Sequence, residues 1–237
     1  MLARLTFIAA LVCAPLALAQ DGGEATGNLP EFPLRPAHHA AGDRESAEAI
    51  IAGSGHPSLF QNVSDELGPA VRHRASGLVC RFWPGMSENG IRVYNPAAGA
   101  EDISCQTGVE GASLSHYAYQ YTPTPSAEDE TRSAIAAIRN RWPDLRDYDG
   151  EVARTEVTGP NFPRRYISRG VVTQGDGNDY MTKASVAKVG VWIVKQRMTV
   201  RLDKALRGDM WSESMMILSV IDVLGGGEAA GGGTAAR

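Results

Sequence analysis

The chain has 237 residues, of which 43% are hydrophobic, and a formal net charge of −4 at pH 7. This length fits one domain with a sizeable core. The basic residues are scattered, in short clusters such as Arg72-His73-Arg74 and Arg164-Arg165, which we interpret as solvated surface. A mildly acidic chain without a basic stripe is not expected to bind nucleic acid.

The first 19 residues have the layout of a secretory signal peptide. Arg4 supplies a positive charge, residues 5–18 are uncharged and mostly apolar, and small residues at Ala17 and Ala19 favour cleavage before Gln20. About 14 apolar residues are too few for a membrane-spanning helix, which needs about 20. The sequence therefore predicts a soluble periplasmic or secreted protein with no transmembrane segment after signal removal, and an uncleaved membrane anchor is the alternative.

Composition divides the rest of the chain into three parts. Residues 20–42 are rich in Gly, Pro and Ala, which predicts a flexible arm. Residues 225–237 contain two glycine triplets and are predicted to form a disordered tail. The region between them, 43–224, is predicted to be a single domain, because about 180 residues is an ordinary domain length.

Two cysteines remain once the signal, with Cys13, is removed. In an oxidising compartment an even number of cysteines predicts a disulfide, and Cys80 and Cys105 allow only one intramolecular pairing. A closed loop of about 26 residues corresponds to roughly 3.5 kcal/mol of stabilisation in the chain-entropy model. The alternative is a redox or metal-binding pair, but these cysteines are not spaced as Cys-x-x-Cys and no histidine pair has zinc-finger spacing.

The first half of the predicted domain begins with helix and continues with strands. A helix is predicted from Asp43 to about Ala52, and a short helical turn from Asn62 to Leu67. Four strands are then predicted, at residues 78–82, 91–94, 102–105 and 114–121. Tyr117, Tyr119 and Tyr121 share one side of the fourth strand, and we expect this tyrosine face to line either the core or a binding surface.

The second half contains two helices on either side of a β-rich section. The first helix starts at Thr124-Pro125 and ends at Pro143. The strands are predicted at residues 154–158, 166–173, 180–189 and 192–201, with a hairpin turn at Gly175-Asp176-Gly177-Asn178. The last helix is predicted from Asp209 to Leu224, with a broad apolar face made of Trp211, Met215, Leu218, Ile221 and Val223. Runs of strands joined by short connections favour an α+β fold, in which helices pack on an antiparallel β-sheet.

Two parts of the sequence resemble known proteins. Ser76-Gly77-Leu78-Val79-Cys80 followed by Glu101-Asp102-Ile103-Ser104-Cys105 resembles the cysteine-pair pattern of small exported bacterial proteins of unknown function. The order of elements over residues 114–224 is similar to the Mog1/PsbP α/β/α sandwich. Members of that fold are mostly binding or accessory proteins, so the resemblance implies such a role, although it supplies no site residue.

The sequence contains no recognised catalytic, phosphate-binding or dinucleotide motif, and we predict no cofactor and no metal site. The favoured hypothesis is a non-catalytic binding or accessory domain of the cell envelope, whose partner is an unknown protein or small molecule. One alternative is a hydrolase with an unrecognised site around His116, which would need a carboxylate and a serine beside that histidine. Another is weak copper or zinc binding through His38 and His39 in the arm.

Overall fold

A computed structural model describes residues 40–231, except residues 66, 95–101, 110, 154–156, 158 and 160. In this part of the chain three α-helices accompany two antiparallel β-sheets, so the predicted α+β class is confirmed. The helices are α1 (Ala40–Gly53), α2 (Ala127–Arg141) and α3 (Ala205–Gly231). Among the described residues, no helix is both long enough and apolar enough to cross a bilayer. The predicted leader, most of the arm and most of the strand predicted at 154–158 lie outside the described residues.

A small antiparallel sheet follows α1, with strands in the order β1-β2-β3. Its strands are β1 (Phe60–Asn62), β2 (Ala70–His73) and β3 (Val79–Arg81). The helical turn predicted from Asn62 is wrong, because Asn62 ends a strand that pairs with β2. The solvated surface predicted at residues 72–74 is also wrong for His73, whose side chain is fully buried, while Arg72 and Arg74 are exposed.

The large sheet has seven strands, in the order β4-β5-β6-β10-β9-β8-β7, and every pair of adjacent strands is antiparallel. Its strands are β4 (Gly90–Tyr94), β5 (Asp102–Val109), β6 (Ala112–Tyr119), β7 (Arg146–Asp147), β8 (Arg165–Thr173), β9 (Asp179–Val189) and β10 (Trp192–Arg201). After β6 the chain crosses one face of the sheet as α2. It then returns strand by strand from the far edge, and β10 ends beside β6.

Helix α2 lies on one face of the large sheet, mainly over β8 and β9. Ser126 caps its N-terminus, because the Ser126 Oγ accepts a hydrogen bond of 3.0 Å from the backbone N–H of Asp129. The helix therefore starts two residues after the predicted position at Pro125. Ala134 and Ile138 are buried against Ala184 of β9, which fixes α2 over this half of the sheet.

Helix α3 covers the opposite face, together with α1 and the small sheet. It begins four residues before the predicted start at Asp209 and continues beyond Leu224. Residues 225–231 of the predicted disordered tail belong to α3, and residues 232–237 lie outside the described residues. Gly226 contacts Gly77 so closely that a Cβ on Gly77 would lie 2.7 Å from the Gly226 Cα. Only two glycines permit this approach between α3 and the turn before β3.

The predicted disulfide is confirmed. Cys80 on β3 is bonded to Cys105 on β5, with the two Cα atoms 5.9 Å apart. Both cysteines are buried in the main apolar cluster, which also contains side chains from α1, β10 and α3. The bond therefore joins the small sheet to the large one through the centre of the core.

Candidate functional site

Among the described residues, one face of the large sheet is only partly covered, because α2 lies over β8 and β9 and leaves β4, β5 and part of β6 open. A cavity of about 270 Å³ opens on this half of the face. The residues that line it are mostly polar and comprise Glu88, Gly90, Ile91, Arg92, Tyr94, Ser104, Gln106, Ser115 and Tyr117. We call this cavity the open-face site.

Strand register brings the polar side chains of the open-face site together. Ser104 on β5 is paired with Arg92 on β4 and with Tyr117 on β6. Two residues further along β5, and on the same face, Gln106 is paired with Ser115. Neighbouring strands lie about 4.8 Å apart and alternate residues point to the same face, so these side chains form one continuous polar floor.

Lys195 of β10 links Tyr117, which lines the site, to helix α2. Its Nζ lies 2.8 Å from the Glu130 Oε1 of α2, in an ion pair that is largely shielded from solvent. The same Nζ lies 5.2 Å from the ring centre of Tyr117 and 4.8 Å from that of Tyr119. These cation–π contacts hold the Tyr117 ring between the covered and the open halves of the sheet.

The structure separates the three tyrosines that the sequence places on one face. Tyr117 lines the open-face site, but Tyr119 is only 6% exposed and packs against Ala127 of α2. Burial, followed by the neighbouring Glu130, raises the pKa of Tyr119. Tyr121 lies beyond the end of β6 and is 53% exposed. A binding role for all three tyrosines stays a prediction, since only Tyr117 lines the cavity.

The site contains a cation and a carboxylate at different positions. Arg92 is exposed and forms no ion pair within the described part of the chain. The Glu88 carboxylate lies against Gly108 of β5, where a side chain would collide with it. Between them stand hydroxyl and amide groups, including the Tyr94 hydroxyl, which is 3.0 Å from the Ser104 Oγ. This arrangement suits recognition of a polar ligand by hydrogen bonds and charge.

Sequence reasoning missed Arg92, Ser104 and Gln106 as members of a site. The available signal was alternation with apolar residues. Ser104 and Gln106 alternate with the buried Ile103 and Cys105 of β5, and Arg92 stands between Ile91 and Val93 of β4. Such alternation is typical of any solvated sheet face. These residues line a cavity because α2 lies over β8 and β9, and the sequence does not show where α2 packs.

His116 lies on the other face of β6, under α3, and is 3% exposed. Its Nδ1 lies 2.9 Å from the Ser219 Oγ, and neither ring nitrogen contacts a carboxylate of the described residues. Burial, with a smaller contribution from the charge of Arg81, lowers the pKa of His116 to about 3. A general base must reach its substrate, so this enclosed histidine has neither the access nor the carboxylate that the hydrolase hypothesis requires.

A cluster of charged side chains is buried between α3 and the sheet. Lys183 of β9 is fully buried and donates hydrogen bonds to the carboxylates of Asp209 and Glu213 on α3. Arg169 contacts Asp209 at 3.0 Å. The solvated surface predicted at Arg164-Arg165 is wrong for Arg165, whose side chain is 9% exposed and contacts Glu213 at 2.6 Å. Burial alone would raise the pKa of Asp209, but the hydrogen bonds from Arg169 and the charge of Lys183 outweigh it and lower the pKa. We call this group the buried charge cluster.

This cluster corrects the predicted orientation of the last helix. Of the five residues assigned to its buried face, Val223 is buried and Trp211 and Met215 are partly buried, but Leu218 and Ile221 are 38% and 49% exposed. Asp209 and Glu213 face the sheet instead. The helix turns Asp209 and Glu213 towards the sheet, rather than Leu218 and Ile221, because the facing strands carry cations that need carboxylate partners.

Acid should destabilise the fold through two buried histidines. Burial lowers the pKa of His73 to about 4 and that of His116 to about 3, from an ordinary value of 6.5. Between these values and pH 6.5 the unfolded chain binds more protons than the folded one, so stability falls as the pH falls through this window. Each histidine contributes up to about 1.4 kcal/mol per pH unit to the slope of the free energy of unfolding against pH. Urea unfolding at several pH values between 7.5 and 4.5 measures this slope.

The variant His116→Leu should have a smaller slope than the wild type, because it removes one titrating group. Leu114→Ala, a core substitution two residues away on the same face of β6, should lower stability and keep the slope. Equal slopes for wild type and His116→Leu would contradict the buried neutral state of His116.

Among the described residues, no group of three or more His, Cys, Asp and Glu side chains is arranged to hold a metal ion. The predicted alternative at His38 and His39 lies outside the described residues.

The chain has no match among protein families and a distant one among solved structures. No protein-family model matches the chain, and no curated protein matches it either. Among solved structures, the chain is similar to the crystal structure of LpqN, which is involved in cell envelope biogenesis of Mycobacterium tuberculosis. The match covers 68% of this chain and 76% of LpqN, with 9% sequence identity and a TM-score of 0.30. A likeness this distant carries no functional argument.

Proposed function

We propose that this chain is an exported, non-catalytic binding domain that takes a polar ligand in the open-face site. The observation that carries the proposal is the half of the large sheet that no described helix covers, where a cavity of about 270 Å³ is lined mainly by polar side chains of three neighbouring strands. Ligand sites combine a concave shape with a few polar groups that fix orientation, and this floor has both features.

The side chains of the floor are suited to recognition. Arg92 can form two parallel hydrogen bonds to a carboxylate or another planar acceptor. Gln106 and Ser115 supply both donors and acceptors, and Tyr117 offers a ring whose position is held by Lys195. Because these residues stand on paired strands rather than on loops, the floor is preorganised, which reduces the cost of binding.

Export is the second part of the proposal. It is supported by the signal-peptide pattern of residues 1–19 and by the buried disulfide between Cys80 and Cys105, a bond typical of oxidising compartments. The expected result is a mature protein that begins at Gln20 in the exported fraction, as measured by mass spectrometry. Protein that keeps Met1, or that carries two free thiols, would contradict export.

Chemical-shift mapping tests the binding role. The ¹⁵N-labelled protein is titrated with millimolar chitobiose, trehalose, trialanine and citrate, which represent neutral sugars, peptides and polyanions. At least one probe is expected to shift the backbone amides of β4, β5 and β6. Tyr117→Ala and Arg92→Ala should each lower the affinity for that probe at least tenfold, about 1.4 kcal/mol, because each removes a central contact.

Matched substitutions outside the site provide the controls. Tyr180→Ala on β9 and Arg132→Ala on α2 replace the same residue types away from the cavity and should leave the affinity unchanged. Shifts that cluster outside β4–β6, or four probes that shift no amide of these strands, would overturn the proposed site.

A further inference from the structure

Three polar side chains form a buried row across neighbouring strands on the face beneath α3. Ser185 of β9 is paired with Gln196 of β10, and Gln196 is paired with His116 of β6. Ser185 and Gln196 are fully buried, and His116 is 3% exposed. Directly paired residues have Cβ atoms about 5 Å apart, so Gln196 stands within reach of both neighbours.

Each member of the row has one polar atom without a hydrogen-bond partner among the described residues. These atoms are the Nε2 of His116, the Oε1 of Gln196 and the Oγ of Ser185. A buried polar group without a hydrogen-bond partner destabilises the fold, so three in one row require an explanation.

The surrounding bonds determine which of these atoms accept. The Nε2 of Gln196 donates to the Ser212 carbonyl oxygen at 2.8 Å, so the amide orientation is defined and Oε1 is the unpaired acceptor. The Ser219 hydroxyl donates to the Met215 carbonyl oxygen at 2.9 Å. Ser219 must therefore accept from the Nδ1–H of His116, which leaves a bare lone pair on Nε2.

The row thus offers two acceptors and one hydroxyl. A water molecule has two protons to donate and can accept in return, so one water has the donors and the acceptor that these three atoms need. A cation fits poorly, since the row contains no carboxylate and the charge of Arg81 already disfavours positive charge at His116.

We propose that one ordered internal water binds beneath α3, donating hydrogen bonds to the His116 Nε2 and the Gln196 Oε1 and accepting one from the Ser185 hydroxyl. The water ties three strands together where the polar groups of α3 interrupt its apolar packing. The proposal concerns the covered face of the sheet and is independent of ligand binding in the open-face site.

A crystal structure of the full chain at high resolution, combined with water-selective NOE spectroscopy in solution, tests the proposal. We expect one electron-density peak within about 2.7–3.2 Å of all three atoms and a long-lived water NOE at the Ser185 amide. Gln196→Leu and the milder Ser185→Ala should each weaken or abolish the NOE. Thr182→Val removes a buried hydroxyl from the opposite face of β9 and should preserve it.

Three outcomes would overturn the proposal. One is a direct hydrogen bond between Ser185 and Gln196 with no density beside His116. Another is density that refines as a cation. The third is an NOE that persists in both Gln196→Leu and Ser185→Ala. If Gln196→Leu does not fold, Ser185→Ala alone decides, because loss of one hydroxyl in the core is tolerated more readily than loss of the amide.

Discussion

Replacing Asp209 with Asn is expected to lower the free energy of unfolding by about 3–5 kcal/mol. The Asp209 carboxylate is fully enclosed and accepts hydrogen bonds from Lys183 at 2.8 Å, from Arg169 at 3.0 Å and from the backbone N–H of Ala153 at 2.8 Å. Asn preserves the size of the side chain but removes its charge. Lys183, which is equally enclosed, then keeps one carboxylate partner, Glu213. Urea unfolding followed by circular dichroism measures the loss.

Two further variants make this test specific. Asp203→Asn removes the same charge from an exposed pair with Arg201 and should leave stability nearly unchanged, because solvent screens that pair. Lys183→Met should cost less than Asp209→Asn, since Asp209 keeps Arg169 and Glu213 keeps Arg165. If Asp209→Asn lowered the free energy of unfolding by less than about 1 kcal/mol, the buried charge cluster would not stabilise the fold as proposed.

Loss of the Cys80–Cys105 bond is expected to cost about 3.5 kcal/mol. The bond closes a loop between residues 25 positions apart and therefore restricts the unfolded chain. It also joins β3 to β5, so its loss should loosen the small sheet against the large one. The free energy of unfolding of the oxidised protein, compared with that of Cys80→Ala/Cys105→Ala, measures the effect.

A reducing agent separates the bond from the side chains. It should lower the stability of the wild type and leave that of the double variant unchanged. Equal stability of oxidised and reduced wild type would contradict a stabilising role for the bond.

Local patterns predicted many elements correctly. The hairpin of β8 and β9 around Gly175-Asp176-Gly177-Asn178, the strand β10 and the helix before Pro143 all follow from neighbours in the sequence. The disulfide followed from counting cysteines. These features depend on spacing of two to four residues or on compartment, and neither requires knowledge of distant contacts.

The orientation of α3 could not be predicted in the same way. An apolar stripe normally marks the buried face, and Leu218 and Ile221 satisfied that rule. Lys183 lies in a strand whose two faces are both covered, so alternation along β9 did not show it as buried and in need of a carboxylate. The pairing with Asp209 and Glu213 depends on residues about 26–30 positions away, beyond the reach of periodicity.

The open-face site was only partly predicted. Tyr117 was among the residues expected to bind, but Tyr119 is covered by α2, whose placement depends on the crossing from β6 to the far edge of the sheet. Arg92 and Gln106 resemble ordinary solvated strand residues in sequence. They belong to a cavity because no part of α2 reaches them.

The sequence by itself determined the α+β class, most strand positions, the disulfide and the side of β6 that Tyr117 and Tyr119 share, because these follow from local periodicity and the chemistry of single residue types. Only the tertiary structure decided which half of the sheet stays open, which face of α3 is buried and how His116, Gln196 and Ser185 meet. Those outcomes depend on burial and pairing between segments far apart in the chain, where the cost of an unpaired charge can outweigh the preference of an apolar stripe for the core.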